Sequence, residues 1–403
     1  MHFLLKRIIF LSMLSPELSI VIPCLNESAS LPHSLGKATA FLTDNNINGE
    51  IILADNGSDD DSVKIARRFN TRVVIESEKG YGNVITTGVT AATGKYIVVG
   101  DADDSYDFSA VMPFLALLRQ GYDLVIGNRF KGGIQKNAMP FLHRYLGNPV
   151  LSFTGRLFFK IPIGDFHCGI RGFSRDCFDK LELKTTGMEF ASEMIVKAAL
   201  LKMKITETPV ILYADKRVSG SHLRTWRDGW RHLRFLLLYS PRWLFLIPGV
   251  LLLLLGLVGS SILINGPVYI FGIRLDIHTL MYTSGFVMMG FQLISFYVFT
   301  RMYTLTHGLV PEQGKFIRLL SLFSLERGIV AGGLLIATGI YLNIKSFLYW
   351  KDAGFGDLNP VKVLRWVIPS VTLVLLGAQI ILSCFYLSIL AIKNNNRGKR
   401  FNK

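Results

Sequence analysis

The sequence has few cysteines, few charged residues and a deficit of acidic ones. Its four cysteines, in 403 residues, are too scattered for a disulfide framework or a metal cluster and indicate a reducing compartment. Only 18% of the residues are charged and 50% are hydrophobic, which excludes a disordered chain and is too apolar for a purely soluble enzyme. Lys and Arg outnumber Asp and Glu by 44 to 29. The net charge of +15 is typical both of nucleic-acid binders and of membrane proteins with a basic cytoplasmic face.

Long apolar stretches are confined to the chain after Pro241. Each is about as long as the ~20 residues that a helix needs to cross a bilayer, and none has a charge at its centre. We therefore predict a four-helix transmembrane domain, residues 242–403, with spans at residues 243–264, 279–299, 328–347 and 366–392. The cations lie near these spans, and no basic stripe with interleaved aromatic residues is present upstream, which argues against a nucleic-acid partner.

The charges of the loops predict the orientation of the spans. Cations flank the second loop and fill the tail after residue 392, whereas Arg274 is the single cation of the first loop. The third loop carries charges of both signs. By the positive-inside rule, both termini and the whole N-terminal region are cytoplasmic, and we expect a prokaryotic-type plasma membrane. Glycines within the spans also allow a homo-oligomer, although small lipid-facing residues are an equal alternative.

Residues 223–241 have the pattern of an amphipathic helix beside the membrane. Leu223, Trp226 and Trp230 begin an apolar stripe at helical spacing, and Arg227 and Arg231 belong to a basic stripe beside it. Such a helix lies on anionic headgroups, and an ordinary surface helix is the alternative. Residues 1–17 are interpreted as an N-terminal extension, since no small-residue cleavage site follows their apolar run.

Between these segments, residues 18–222 alternate between predicted strands and helices. Polar clusters follow three of the strands, at Asn26-Glu27-Ser28, at Asp55-Asn56-Gly57-Ser58 and at Asp101-Ala102-Asp103-Asp104. This alternation predicts an α/β domain with a mostly parallel sheet, in which ligands bind at the carboxyl ends of the strands. The two carboxylates Asp101 and Asp103 suit Mg²⁺ or Mn²⁺, although a solvated acidic turn is the plain alternative.

Four segments together resemble the family-2 glycosyltransferases of the GT-A fold. They are residues 19–27 (SIVIPCLNE), 54–60 (ADNGSDD), 100–103 (GDAD) and 124–130 (LVIGNRF). Within that family the chain resembles the polyprenyl-phosphate sugar synthases, such as dolichyl-phosphate mannose or glucose synthase. The resemblance implies transfer of one hexose, glucose or mannose, from a UDP or GDP sugar to a polyprenyl phosphate, with inversion at the anomeric carbon.

The resemblance also implies roles for individual residues. Those assigned to the nucleotide sugar are Pro23, Asn26, Glu27, Asp55, Asp101, Ala102, Asp103 and Arg217. Within this set, the resemblance implies that Asp55 accepts a hydrogen bond from the base and that Asp101 and Asp103 hold the metal ion. Ser221 accompanies Arg217 in a basic loop over the diphosphate. Arg129, Arg144 and Asn148 match residues that meet the lipid phosphate. Asp165 matches an acidic residue near the acceptor, where it either orients the acceptor or takes its proton.

Some interpretations remain open at this point. Glu189 and Glu193 lie one helical turn apart and are candidates for an acid or base as well as for a structural pair. The glycines of Gly80-Tyr81-Gly82 are interpreted as giving a loop its conformational freedom. A processive polysaccharide synthase and a non-catalytic protein that binds nucleotide sugars or lipid-linked sugars are the alternative functions.

Overall fold

The computed structural model describes residues 15–214, 225–306 and 325–391. The chain divides into two compact units, Met1–Tyr239 and Ser240–Lys403. Most of the predicted N-terminal extension and the loop with Arg217, Ser221 and Leu223 lie outside the described residues.

In the first unit, seven described strands form one sheet in the order β3-β2-β1-β4-β6-β5-β7. Strand β6 is antiparallel to β4 and β5, and the other pairings are parallel. The predicted mostly parallel sheet is therefore confirmed. The strands are β1 Leu18–Cys24, β2 Gly49–Asp55, β3 Arg72–Ile75, β4 Tyr96–Val99, β5 Leu124–Asn128, β6 Arg171–Ser174 and β7 Ile205–Pro209.

Strand β1 lies in the middle of the parallel part of the sheet and is buried along its whole length. Its apolar sequence suits a strand that is covered on both faces. Its register with β2 runs from Leu18 opposite Gly49 to Cys24 opposite Asp55. The two strands therefore end side by side, and the polar residues that follow them meet at one edge of the sheet.

The helices of the first unit connect and cover these strands. They are α1 Leu31–Asp44, α2 Ser62–Arg68, α3 Tyr81–Ala91, α4 Met112–Arg119, α5 Arg129–Gly132, α6 Asn148–Phe159, α7 Arg175–Leu181, α8 Phe190–Leu200 and α9 Thr225–Leu238. A π-helical turn, His143–Gly147, leads directly into α6. Helix α9 packs on α6 and α8 through Phe235 and Leu236, which are buried against Leu151 and Val196.

The glycines at the start of α3 allow a close approach between two segments. The helix begins at Tyr81, and Gly82 N donates to Thr186 O at 2.9 Å. A Cβ atom on Gly82 would lie 2.2 Å from Thr185 O. The predicted conformational freedom is used at Gly80, whose φ is +155°, whereas Gly82 lies inside the helix and lacks a side chain because the backbone of residues 185–186 passes against it.

In the second unit, four of the described helices are long and apolar enough to cross a membrane. This confirms the four predicted spans. The helices are α10 Ile247–Leu263, which continues a π-helical turn at Arg242–Leu246, α11 Ile277–Thr306, α12 Leu325–Asp352 and α13 Pro360–Ala391. A short hairpin of β8 Val268–Ile270 and β9 Ile273–Leu275 joins α10 to α11.

Several glycines of these helices, among them Gly256 and Gly332, pack against neighbouring helices of the same chain, whereas a Cβ atom on Gly333 would meet nothing within 4 Å. A Cβ atom on Gly256 would lie 2.7 Å from Thr283 O, and one on Gly332 would lie 2.6 Å from Gly377 O. Small residues at such positions let helix backbones approach closely inside a membrane. Since these glycines are already used within one chain, they give no support to the homo-oligomer considered from the sequence.

Candidate active site

The first two polar clusters are joined by hydrogen bonds at the carboxyl edge of β1 and β2. Asn26 N donates to Ser58 Oγ at 2.9 Å, and Asn26 Oδ1 accepts from Asp59 N at 3.0 Å. Glu27 N donates to Ser62 Oγ at 3.0 Å. The structure thus brings Asn26, Glu27 and the turn after Asp55 into one site, with Pro23 in the adjacent strand.

Asp55 is buried and its two carboxylate oxygens differ in their surroundings. Oδ2 accepts from Gly57 N and Ser58 N, each at 2.9 Å. Oδ1 is also buried and has no hydrogen-bond partner among the described residues. A buried acceptor without a partner costs about 1–3 kcal/mol, more when it is charged, so its presence points to a ligand that donates to it.

Asp101 and Asp103 follow β4 at the same edge and are held by neutral donors. Asp101 Oδ1 accepts from Tyr81 OH at 3.2 Å, and Asp103 Oδ1 accepts from Ser105 N at 3.0 Å and from Ser105 Oγ. Burial and the nearby Asp101 carboxylate raise the pKa of Tyr81 well above its usual range, so Tyr81 remains a hydrogen-bond donor. Ala102 lies between them, and its carbonyl accepts from Ser34 Oγ at 3.0 Å.

The donor set at Asp101 and Asp103 fits a hard divalent cation. Within the described residues, no three His, Cys, Asp or Glu side chains are gathered as a metal cage. Mg²⁺ and Mn²⁺ suit a site with one or two carboxylates and take their remaining ligands from water and phosphate oxygens. The neighbouring Asp104 is paired with Lys37 at 2.7 Å and has a structural role instead.

Arg129 and Asp165 form a buried bidentate pair. Arg129 Nε donates to Asp165 Oδ2 and Arg129 Nη2 to Asp165 Oδ1, both at 2.7 Å, and Asp165 is fully buried. Burial opposes the charge of the guanidinium, but Tyr106 and Asp165 raise the pKa of Arg129 well above its usual range. The sequence assigned these two residues separate roles. With both of its oxygens engaged by Arg129, Asp165 is better placed to orient its partner than to take a proton.

Arg144 lies in the π-helical turn His143–Gly147, and Asn148 is the first residue of helix α6. The Arg144 guanidinium carbon lies 5.5 Å from the centre of the Tyr145 ring, and Asn148 Nδ2 donates to Met139 Sδ at 3.5 Å. This segment exposes a row of large apolar side chains. They are Phe141, Tyr145, Leu146, Val150, Phe153 and Leu157.

The loop that follows Asp165 lies against Asp101, a contact that was not identified from the sequence. Gly169 lies against Asp101, since a Cβ atom on it would be 2.2 Å from Asp101 Oδ2, and its N donates to Tyr106 OH at 2.9 Å. The buried Arg171 donates to Cys168 O at 2.6 Å and to Ala191 O at 3.2 Å. The sequence gives one indication of this contact, which is the tyrosine Tyr106 three residues after Asp103 in a polar loop.

Glu193 is structural, whereas the sequence left its role open. Its carboxylate is fully buried, accepts from Thr185 N at 2.8 Å and from Lys184 N at 3.1 Å, and pairs with Lys197 at 2.9 Å. It therefore holds the loop before α8 by satisfying that loop's backbone donors. Glu189, one turn earlier, has a buried Oε2 without a partner among the described residues.

We expect Glu193→Ala to lower the free energy of unfolding by about 3–5 kcal/mol, because Lys197 and the loop amides lose their partner. Burial raises the pKa of Glu193, but the bonds from Lys197 and Thr185 outweigh it and lower the pKa below its usual value. The stabilisation is therefore full above the unfolded pKa of about 4.3 and is lost as the pH falls through the lower folded pKa. Thermal unfolding of the full chain in detergent, from pH 7 down to about pH 3, tests this, because the difference between the wild type and Glu193→Ala should shrink as the pH falls below about 4.3. The exposed Asp179→Ala is the control. Equal melting temperatures of the wild type and Glu193→Ala at pH 7 would contradict it.

Comparisons with known proteins identify the family of the chain. The profile "Glycosyl transferase family 2" matches residues 19–182, and "Glycosyltransferase family 2 C-terminal transmembrane region" matches residues 298–391. The low-salt glycan biosynthesis hexosyltransferase Agl6 of Haloferax volcanii is 34% identical over 384 residues, which cover 94% of this chain and 90% of that one. The dolichyl-phosphate hexose transferase of the same organism is 29% identical over 195 residues, 48% of this chain and 82% of its own.

A solved structure of glucosyl-3-phosphoglycerate synthase from Mycobacterium tuberculosis is also similar. It aligns with a TM-score of 0.45 and 18% identity, over 56% of this chain and 80% of that one. The likeness to Agl6 extends over nearly the whole chain, including the segment with the apolar helices. The chain therefore belongs to glycosyltransferase family 2, and it is an integral membrane glycosyltransferase with a GT-A catalytic fold and a C-terminal transmembrane region.

Proposed function

We propose that this enzyme transfers a single hexose from a nucleoside diphosphate sugar to a polyprenyl phosphate at the cytoplasmic face of the membrane, with inversion at the anomeric carbon. The observation that carries the proposal is the buried Oδ1 of Asp55, which has no hydrogen-bond partner in the described part of the chain and lies at the same sheet edge as Asp101 and Asp103. Asp55 can accept an N–H donor at this edge of the sheet, and Asp101 and Asp103 suit a diphosphate that carries a metal ion.

The carboxylate of Asp55 favours a uracil base over guanine. Uracil presents one N–H between two carbonyl oxygens, whereas guanine presents adjacent N–H donors that suit both oxygens of a carboxylate. In Asp55, Oδ2 already accepts from two backbone amides, whereas Oδ1 has no partner among the residues that the structure describes. A single-donor base therefore matches this site, and we propose UDP-hexose as the donor.

Asp101 and Asp103 would hold the Mg²⁺ or Mn²⁺ ion, which neutralises negative charge on the diphosphate. The chain's own contribution is to orient the two carboxylates through Tyr81 and Ser105. As the sugar leaves, negative charge grows on the nucleoside diphosphate, and fixed positive groups stabilise it. Arg217, assigned from the resemblance alone, is proposed as one such group. It lies outside the described residues.

Two features support a lipid phosphate as the acceptor. The relative named dolichyl-phosphate hexose transferase is similar over 48% of the chain. The exposed apolar row from Phe141 to Leu157 adjoins Arg144 and Asn148, so apolar chain and phosphate could be bound side by side. A phosphate monoester with a second pKa of about 6 is already ionised at neutral pH, so it requires positioning more than proton removal. That agrees with an Asp165 engaged by Arg129.

The helix α9 supports a location at the membrane surface. Its Trp226 and Trp230 side chains are 80% and 59% exposed, although both are large and mostly apolar. Its opposite side packs into the catalytic unit through Leu236. Tryptophans exposed in this way are typical of a helix that lies at a membrane interface. We propose that α9 lies on the cytoplasmic leaflet, as the distribution of loop charges predicts.

The proposal is tested by incubating membranes that contain the full chain with labelled UDP-glucose or GDP-mannose, in Mg²⁺ or Mn²⁺. We expect label in a single-sugar lipid that extracts into chloroform–methanol, and transfer from the UDP sugar. Membranes without the protein are the control. A water-soluble labelled polymer would instead indicate a processive synthase, and binding of the sugar nucleotide without transfer would indicate a non-catalytic protein.

A further inference from the structure

Three side chains from separate parts of the catalytic unit meet beside the Arg129–Asp165 pair. They are His167 in the loop after Asp165, Ser192 in α8 and His232 in α9. Ser192 Oγ lies 3.3 Å from His167 Nε2 and 2.9 Å from His232 Nδ1, and the two imidazole rings are 4.3 Å apart between their centres. No motif in the sequence distinguishes any of the three.

The other ring nitrogen of His167 has no such contact. Its Nδ1 atom is buried and has no hydrogen-bond partner in the described part of the chain. The residue is also fixed through its backbone, because His167 N donates to Asp165 Oδ1 at 3.3 Å. Two residues further on, Gly169 lies against Asp101. The unpartnered nitrogen thus belongs to the short segment that runs from the Arg129–Asp165 pair to the proposed metal site.

The surroundings keep this imidazole neutral. Burial, together with His232, Arg129 and Arg171, lowers the pKa of His167 well below its usual value. A neutral imidazole carries one proton, and the hydrogen bond at one nitrogen decides which nitrogen holds it. When the Ser192 hydroxyl accepts from His232 Nδ1 and donates to His167 Nε2, the proton of His167 resides on Nδ1. The network can therefore present a fixed N–H donor beside Arg129.

We propose that His167 Nδ1–H donates a hydrogen bond to the phosphate of the lipid acceptor, and that Ser192 and His232 are positioning residues that fix its ring and its tautomer. The inference rests on the proposed function. Phosphate is favoured because its oxygens are strong acceptors and because Arg129 supplies a cation beside the donor. The acceptor phosphate is favoured over the diphosphate because the His167 backbone is anchored to Asp165, and the resemblance places Asp165 near the acceptor.

A matched pair of substitutions separates the two ring nitrogens. The amide of His167→Asn reaches the position of Nδ1, and the longer His167→Gln reaches that of Nε2. In the purified full chain, we expect His167→Asn to retain most of the kcat/KM for polyprenyl phosphate and His167→Gln to lose about 10- to 100-fold. The KM for the sugar nucleotide is expected to change less than about twofold in both variants. Ser192→Ala should give a smaller loss of the same kind, which allows the inference to be tested even if one histidine variant fails to fold.

Binding provides a second readout without turnover. Polyprenyl phosphate alone should raise the melting temperature of the wild type and of His167→Asn more than that of His167→Gln. The inference is overturned if the two histidine variants are equally active, if only His167→Gln is active, or if the KM for the sugar nucleotide changes instead of that for the lipid. A wild type that makes no single-sugar lipid would refute the proposed function itself, which is a different result from a normal wild type with unaffected variants.

Discussion

Replacing Asp103 with asparagine is expected to lower the rate of sugar transfer by about 10²- to 10³-fold without unfolding the enzyme. The asparagine carbonyl can still accept from Ser105 N and Oγ, so the local hydrogen bonds survive. What is lost is the negative charge that a divalent cation requires. Initial rates measured over a range of Mg²⁺ and Mn²⁺ concentrations test this, and the variant should need more metal to reach its residual rate.

Asp107→Asn is the matched control for this prediction. Asp107 lies four residues further along the same loop, and its Oδ1 accepts from Ser109 N and Oγ, as the Oδ1 of Asp103 does from Ser105. It has no proposed role toward the metal, so its activity should stay within about twofold of the wild type. Unchanged transfer by Asp103→Asn, or transfer that a strong chelator leaves intact, would refute the metal assignment.

The second large effect is expected at the Arg129–Asp165 pair. Removing one member, as in Arg129→Leu or Asp165→Leu, leaves a buried charge without its partner and should destabilise the protein by about 3–5 kcal/mol. The double variant Arg129→Leu/Asp165→Leu should recover much of that loss, because two apolar side chains can replace a buried ion pair at little cost. Thermal unfolding of the detergent-solubilised full chain measures both effects.

Activity then separates structure from function at the same pair. We expect the double variant to remain inactive in transfer although its stability is largely restored, because Arg129 is proposed to meet the acceptor phosphate. An exposed pair in the same unit, Lys180 and Asp176, offers the control, since its replacement should change neither stability nor transfer appreciably. A stable double variant with normal transfer would show that the buried pair is structural only.

Much of the fold could be predicted because its signals are local in the sequence. The apolar run of β1 and the polar residues that follow it are consecutive, so the strand and its functional end were recognised together. Helix α3 was the exception, since its start at Tyr81 depends on contacts between Gly82 and residues 185–186, about a hundred positions away. Local patterns carry no information on such contacts.

The sequence predicted candidate residues for the site but not the contacts between them. Asp55, Asp101 and Asp103 stand out because acidic residues directly follow apolar strands. The different environments of the two Asp55 oxygens, by contrast, depend on the turn that follows the strand and on what covers it. The resemblance assigned Arg129 and Asp165 to the acceptor, and nothing in their spacing of 36 residues predicted that they bind each other.

The amino-acid sequence by itself determined that this protein crosses a membrane with four helices and that its catalytic part is a mostly parallel α/β sheet with acidic groups at one edge. Both follow from the length and periodicity of apolar segments, which are properties of neighbouring residues. Only the tertiary structure decided that Glu193 supports a loop, that Asp165 is bound by Arg129, and that His167 meets Ser192 and His232. These partners come from separate elements, and whether a polar group is satisfied or available for a substrate depends on how those elements pack.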